Sequence, residues 1–234
     1  MIILGIETSG NIGGVALSSD EDVLGEIAFR KGMIHGKALL PAVEKLLRKC
    51  KTGPREVDAV AVSAGPGSYT GVRVGVTCAK SFCYITGAKL IAAGSLDVLV
   101  RNVPKKYDTA CPIIDARRGD VYACVYRRED GHWRRIEELT AEKPEVIAGK
   151  LPPKACVLGN GLIKYAPIFK ERGFALAAER RWWGAARSVC KLGAALFHKG
   201  CFEDPFAFTP TYLRPTEAEL NRMKMRARER NERK

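Results

Sequence analysis

Residues 64–75 read Ala64-Gly65-Pro66-Gly67-Ser68-Tyr69-Thr70-Gly71-Val72-Arg73-Val74-Gly75. Just upstream, Val57-Asp58-Ala59-Val60-Ala61-Val62-Ser63 alternates as a half-buried strand does, and residues 72–85 carry helical periodicity. A glycine-rich turn from strand into helix is the junction of an α/β unit, and backbone N–H groups at such a helix start can hold a phosphate. The stretch is not a P-loop, because no Gly-Lys-Ser/Thr follows. It is not a dinucleotide fingerprint either, because Thr70 stands where the third glycine belongs. Four glycines in the eleven residues 65–75 exceed what one helix cap requires. Gly65, Gly67, Ser68, Tyr69, Thr70 and Gly71 are therefore candidates for contact with a phosphate or a partner. The plainer alternative is a tight turn capped by Ser68 or Thr70.

Outward from this loop the chain shows an order that starts twice. Residues 2–8, 13–18 and 23–30 read as three strands, and a helix follows on the apolar face of Leu39, Leu40, Val43, Leu46, Leu47 and Cys50. After the strand, loop and helix already described come a strand at 89–93 and a short helix opened by Ser95. Strands are then expected at 110–115, 121–127 and 133–139, a short helix at 145–150, a strand at 155–158, and helices at 161–172 and 185–198. Two rounds of strands, helices and strands predict a duplicated α/β unit with the second copy trimmed. Pro104-Lys105-Lys106 marks the expected boundary, giving lobes at 1–104 and 105–210 and a basic segment at 211–234. That last segment is expected to pack back on the first lobe and then fray.

The chain of 234 residues carries a net charge of +13, of which +2 falls in residues 1–100 and +11 in the remainder. A basic second half points to a polyanion, most simply a nucleic acid, or to a solubilising surface. No apolar run reaches the ~18 residues of a membrane helix, and no basic residue precedes the apolar start, so neither a membrane span nor a secretory signal is expected. The eight cysteines include no Cys-x-x-Cys pair. Most stand in apolar or small-residue contexts, which suits reduced thiols of a cytoplasmic protein.

Chemistry-bearing residues are few. His35, His132 and His198 form no i, i+4 pair, and no Gly-x-Ser-x-Gly elbow is present, so no metal site and no catalytic residue is assigned. Glu7 and Asp115 each end the first strand of a round. That placement resembles the paired phosphate loops of ATPases built on a duplicated ribonuclease-H-like unit, and makes the two acids candidate vestigial phosphate-loop residues. On the helix after the glycine loop, Gly75 and Ala79 leave room for close approach, with Val72, Phe82 and Cys83 beside them. This face is read either as a partner surface or as packing inside the monomer.

Several stretches together resemble the TsaB (YeaZ) family: Ile6-Glu7-Thr8-Ser9, His35 with Leu39-Leu40-Pro41, the 65–75 loop, Ile114-Asp115-Ala116-Arg117 with Gly119-Asp120-Val121-Tyr122, Gly159-Asn160-Gly161, and Tyr212-Leu213-Arg214. They occur in order to about residue 214, and the family more often has Asp where Glu7 stands. The resemblance implies a two-lobed actin-like (ASKHA) fold and a non-catalytic subunit of the machinery that forms N6-threonylcarbamoyladenosine on tRNAs reading codons that begin with A. It implies pairing with TsaD through helices of the N-terminal lobe, engagement by the ATPase TsaE, and tRNA contact through the complex. It implies no cofactor of its own, with ATP or ADP entering in the complex. Self-pairing of the isolated chain stays open. So do a stand-alone ATPase or metalloprotease-like enzyme of the same superfamily and a general RNA-binding protein.

Overall fold

The computed structural model describes residues 1–20, 22–30 and 35–213. Its first sheet holds β1 (Ile2–Glu7), β2 (Ile12–Ser19), β3 (Asp22–Arg30), β4 (Ala59–Ser63) and β5 (Lys89–Ala93), in the order β3-β2-β1-β4-β5. The first three form an antiparallel meander, and β4 and β5 run parallel to β1. This is the ribonuclease-H-like arrangement. β1 is central and buried on both faces, so it reads as a continuous apolar run, not as an alternation. On one face Leu4, Ile6, Val60 and Val62 meet α1 (His35–Lys49) and α2 (Tyr69–Thr86) through Leu39, Leu46, Val72, Val76 and Ala79.

The second sheet repeats the plan. It holds β6 (Thr109–Arg117), β7 (Asp120–Ala123), β10 (Thr140–Glu142), β11 (Cys156–Leu158) and β12 (Ala175–Leu176), in the order β10-β7-β6-β11-β12. Helices α4 (Pro144–Lys150) and α5 (Leu162–Glu171) cover one face through Ile147, Ala148, Leu162 and Phe169. The copy is shorter: β11 has 3 residues against 5 in β4, and α5 has 10 against 18 in α2. The fold is thus α/β, two-lobed and actin-like, with a trimmed second half.

Two local readings change. Residues 133–139 are not the third strand of the second round. Asp130 and Gly131 take φ of 50° and 79° and close a hairpin between β8 (Tyr126–Glu129) and β9 (His132–Arg135), an insertion that the first round lacks. The third strand falls later, at β10. β12 is two residues long and leaves no periodic trace in the sequence.

The last helix of each round crosses to the other sheet. α3 (Ser95–Leu99) puts Leu96 and Leu99 against Ala110, Ile114, Cys156 and Leu158 of the second sheet. α6 (Ala186–His198) puts Val189 and Ala194 against Ile3, Ala59, Ala61 and Ile91 of the first. Chain order alone assigns α6 to the lobe at 105–210, whereas its packing is on the first sheet. Beyond α6 the chain returns across the first lobe: the Glu203 N–H donates to Leu90 O and the Thr211 N–H to Ala64 O, both at 2.9 Å. Residues 214–234, and the expectation that they pack and then fray, lie outside the described residues.

Candidate functional site

The glycine loop lies on the backbone that follows β1. A Cβ at Gly71 would stand 2.1 Å from Thr8 O, and one at Gly75 would stand 2.2 Å from Thr8 Oγ1. No side chain fits those gaps, so glycine is what lets α2 start against the end of β1. Ser68 is the N-cap: its Oγ accepts from the Gly71 N–H at 3.3 Å, while its own N–H donates to Ser9 O at 2.8 Å. These donors turn toward the chain itself. Gly65-Pro66 is a cis peptide, and Thr211 O lies 2.6 Å from where a Gly65 Cβ would be.

Glu7 is 1% exposed at the end of β1. Its Oε1 accepts from the Ser9 N–H at 2.7 Å and the Ser9 hydroxyl at 2.6 Å, and its Oε2 accepts from the Ser63 hydroxyl. Gly184 roofs it: a Cβ there would lie 2.6 Å from Oε2. The segment carrying Gly184 is held by Asn102, whose amide donates to Trp183 O at 2.6 Å and to Arg181 O at 3.3 Å. Asp115, the matching acid of the second round, accepts from Lys164 Nζ at 2.7 Å and from the Arg117 N–H at 3.0 Å. Asn160 of the second glycine turn accepts the Asp115 N–H at 2.9 Å. Both acids are thus engaged by their own chain.

The small-residue face of α2 points inward. Val72 is 2% exposed, Ala79 is 0% and Cys83 is 3%, and all three belong to the core under the first sheet. Gly75 is buried against Thr8, with Val62 and Ile6 next nearest. The reading of Val72, Gly75, Ala79 and Cys83 as a partner surface is therefore corrected: the room left by Gly75 is filled by the chain's own Thr8, just past β1. Phe82 is the exception and is half-buried. It lines a groove of about 620 Å³ between α1 and α2, with Leu40, Pro41, Val43 and Leu47. Leu40 is 64% exposed, and Ile85, one turn on from Phe82, is 74% exposed. This outward face escapes a reading that looks for small residues, although Leu40 and Pro41 stand in a motif already singled out.

Two other motifs of the sequence meet in space. Arg73 of the glycine motif donates from Nε to the Tyr212 hydroxyl at 2.7 Å, and its guanidinium lies 4.0 Å from the Tyr69 ring centroid. Tyr69 and Tyr212 are 5.3 Å apart. Lys80 Nζ donates to Phe208 O at 2.8 Å, and Tyr84 meets Phe206 edge-on at 5.3 Å. Residues 206–212 thus strap one flank of α2.

All eight cysteines are free. Burial pushes the thiols of Cys78, Cys124 and Cys156 up to about 11, and those of Cys83 and Cys190 up to about 12. Among the described residues no three His, Cys, Asp or Glu side chains gather as metal ligands would, and no helix is long and apolar enough to cross a membrane.

A protein-family model described as "TsaD: tRNA N6-adenosine threonylcarbamoyltransferase" matches residues 25–214. The "tRNA threonylcarbamoyladenosine biosynthesis protein TsaB" of Bacillus subtilis (strain 168) is 38% identical over 148 residues, a stretch that covers 63% of this chain and 63% of that protein, just under two thirds of its length. The protein of the same name from Escherichia coli (strain K12) is 28% identical over 222 residues, covering 92% of this chain and 95% of the other. A solved structure, "YeaZ from Pseudomonas aeruginosa", superposes with a TM-score of 0.82 at 24% identity, over 91% of this chain and 99% of that one. That likeness bears on the fold.

Proposed function

Because this chain belongs to the TsaB (YeaZ) family, we propose that it serves in the making of threonylcarbamoyladenosine on tRNAs that read codons beginning with A, as a non-catalytic subunit that pairs with a TsaD-type transferase. The pairing rests on one observation. α1 turns Leu40 to solvent on an apolar groove that Phe82 of α2 also lines, and α2 turns Ile85 to solvent one turn beyond Phe82. Large apolar side chains grouped on a helix pair are the usual mark of a protein–protein face. The non-catalytic part draws support from Glu7, which is saturated by Ser9 and Ser63, and from Asp115, which is held by Lys164. The complex would include TsaE and would bring tRNA and ATP or ADP to the pair, in the cytoplasm.

The test is the double variant Leu40→Asp with Ile85→Asp. Both side chains are mostly solvent-exposed, so the monomer should keep its melting temperature. Co-elution with TsaD should weaken at least ~30-fold, the loss of about 2 kcal/mol expected of a central interface residue. Undiminished pairing would overturn the assignment of the face. ATP turnover by the isolated protein that needs Glu7 and Asp115 would overturn the non-catalytic role.

A further inference from the structure

The charge of the second lobe is not evenly spread over its sheet. At the end where β6 finishes, three cations are tied to acids, Lys164 and Arg117 to Asp115 and Lys143 to Asp120, while Arg118 stands exposed beside them. The opposite end is different. β6, β11 and β12 run parallel and all begin there, with Cys156 in register with Ala110 and with Ala175. The residues leading into them are Lys105 and Lys106 before β6, Lys154 before β11, and Lys170 and Arg172 before β12. On the flanking strand β8, Arg127 stands beside Thr109 at the same end. All six are exposed, and none forms an ion pair with another described residue. Asp108 and Glu171 stand among them, which leaves a net charge of +4.

We infer that this end of the second sheet is a binding surface for the phosphate backbone of a folded RNA. The inference rests on the functional reading above, and it names the tRNA contact that this subunit itself would make. The four strands β8, β6, β11 and β12 are spaced ~4.8 Å apart, so the cations extend over ~15 Å. Phosphates recur every ~3.4 Å along one strand of a duplex, so such a row meets several at once. The favoured occupant is a nucleic acid and not a membrane. The exposed large apolar side chains of the described residues, such as Leu40, Ile85, Ile163 and Phe206, all lie elsewhere. A surface that settles on lipid carries apolar groups beside its cations.

The experiment uses the full chain, alone and with TsaD, and a fluorescent transcript of a tRNA that reads codons beginning with A. The test variant is K105Q/K106Q/R127Q/K154Q. The control, K51Q/R55Q/K191Q/K199Q, removes the same charge from exposed positions on the first lobe, on α6 and just after it. The patch variant should bind the transcript about 10–100-fold more weakly at moderate salt, with the slope of log affinity against log salt shallower by about 2–4. The control should change little, and pairing with TsaD should be intact in both. Parental affinity and slope in the patch variant would overturn the inference, as would an equal loss in the control. Lost binding to phosphatidylglycerol vesicles with tRNA binding unchanged would overturn it in favour of a membrane surface. Failure to pair with TsaD would fault the functional reading alone, because the titration of the isolated chain still judges the patch.

Discussion

Glu7 gathers the Ser9 N–H and the hydroxyls of Ser9 and Ser63 where β1 meets the glycine loop. Glu7→Ala leaves those donors buried without an acceptor. At about 1–3 kcal/mol for each such orphan, partly relieved by rotation of the hydroxyls, the variant should lose about 2–4 kcal/mol in urea unfolding. Glu7→Gln keeps an acceptor oxygen for Ser9 and should lose less. Equal stability of Glu7→Ala and the parent would sink this account. Gly75 gives a sharper case. A methyl there falls 2.2 Å from Thr8 Oγ1, so even Gly75→Ala should cost the monomer about 1–3 kcal/mol through overpacking. An unchanged unfolding midpoint would mean that α2 moves away from β1 freely.

At the scale of elements, the strap over α2 depends on Tyr212. Tyr212→Ala removes the acceptor of Arg73 Nε and one of the two rings beside that guanidinium. The loss should be about 1–2 kcal/mol. Its signature should be local: faster hydrogen exchange at residues 203–211, with the strands of the first sheet unchanged. A uniform rise over the whole chain would contradict a strap that opens by itself. The same elements show what the sequence made legible. Long elements announced themselves, since α1, α2 and the continuous apolar run of β1 carry period and burial in their residues. β12 did not, because a two-residue strand has no period of its own, and the strand at 133–139 was legible as a strand but not as the arm of an inserted hairpin, because alternation does not say which strand is its neighbour. The glycine motif was visible as a motif, but its purpose was not. Small residues at 75 and 79 suit any close neighbour, and only the fold shows that Gly75 meets Thr8 just past β1, with Val62 of β4 beside it. Arg73 and Tyr212 stand 139 residues apart, and nothing local to either names the other.

For the molecule as a whole, buried thiols set an alkaline limit. A thiol free in the unfolded chain titrates near 8.5, whereas Cys156 and Cys124 titrate near 11 and Cys190 near 12 when folded. Below pH 8.5 each is protonated in both states. Above it the unfolded chain sheds a proton that the folded chain retains. Stability should therefore fall as pH rises from about 8.5 toward 11–12, by up to about 1.4 kcal/mol per pH unit for each thiol. Urea midpoints between pH 8 and 10 measure the slope, and Cys156→Ala should make it shallower. In native protein at neutral pH, Cys201 is the exposed thiol and should be alkylated first, as peptide mass mapping would show. The crossing of α3 and α6 reaches further, into synthesis. A ribosome that has released the first hundred residues has delivered every strand of the first sheet, yet one face of that sheet has only Val98 of α3 against it until residues 186–198 emerge. The two halves are thus a single cooperative unit that closes only late in translation. The nascent chain carries Ile3, Ala59, Ala61 and Ile91 without α6 over them until then, which makes that interval the time when it most needs a chaperone.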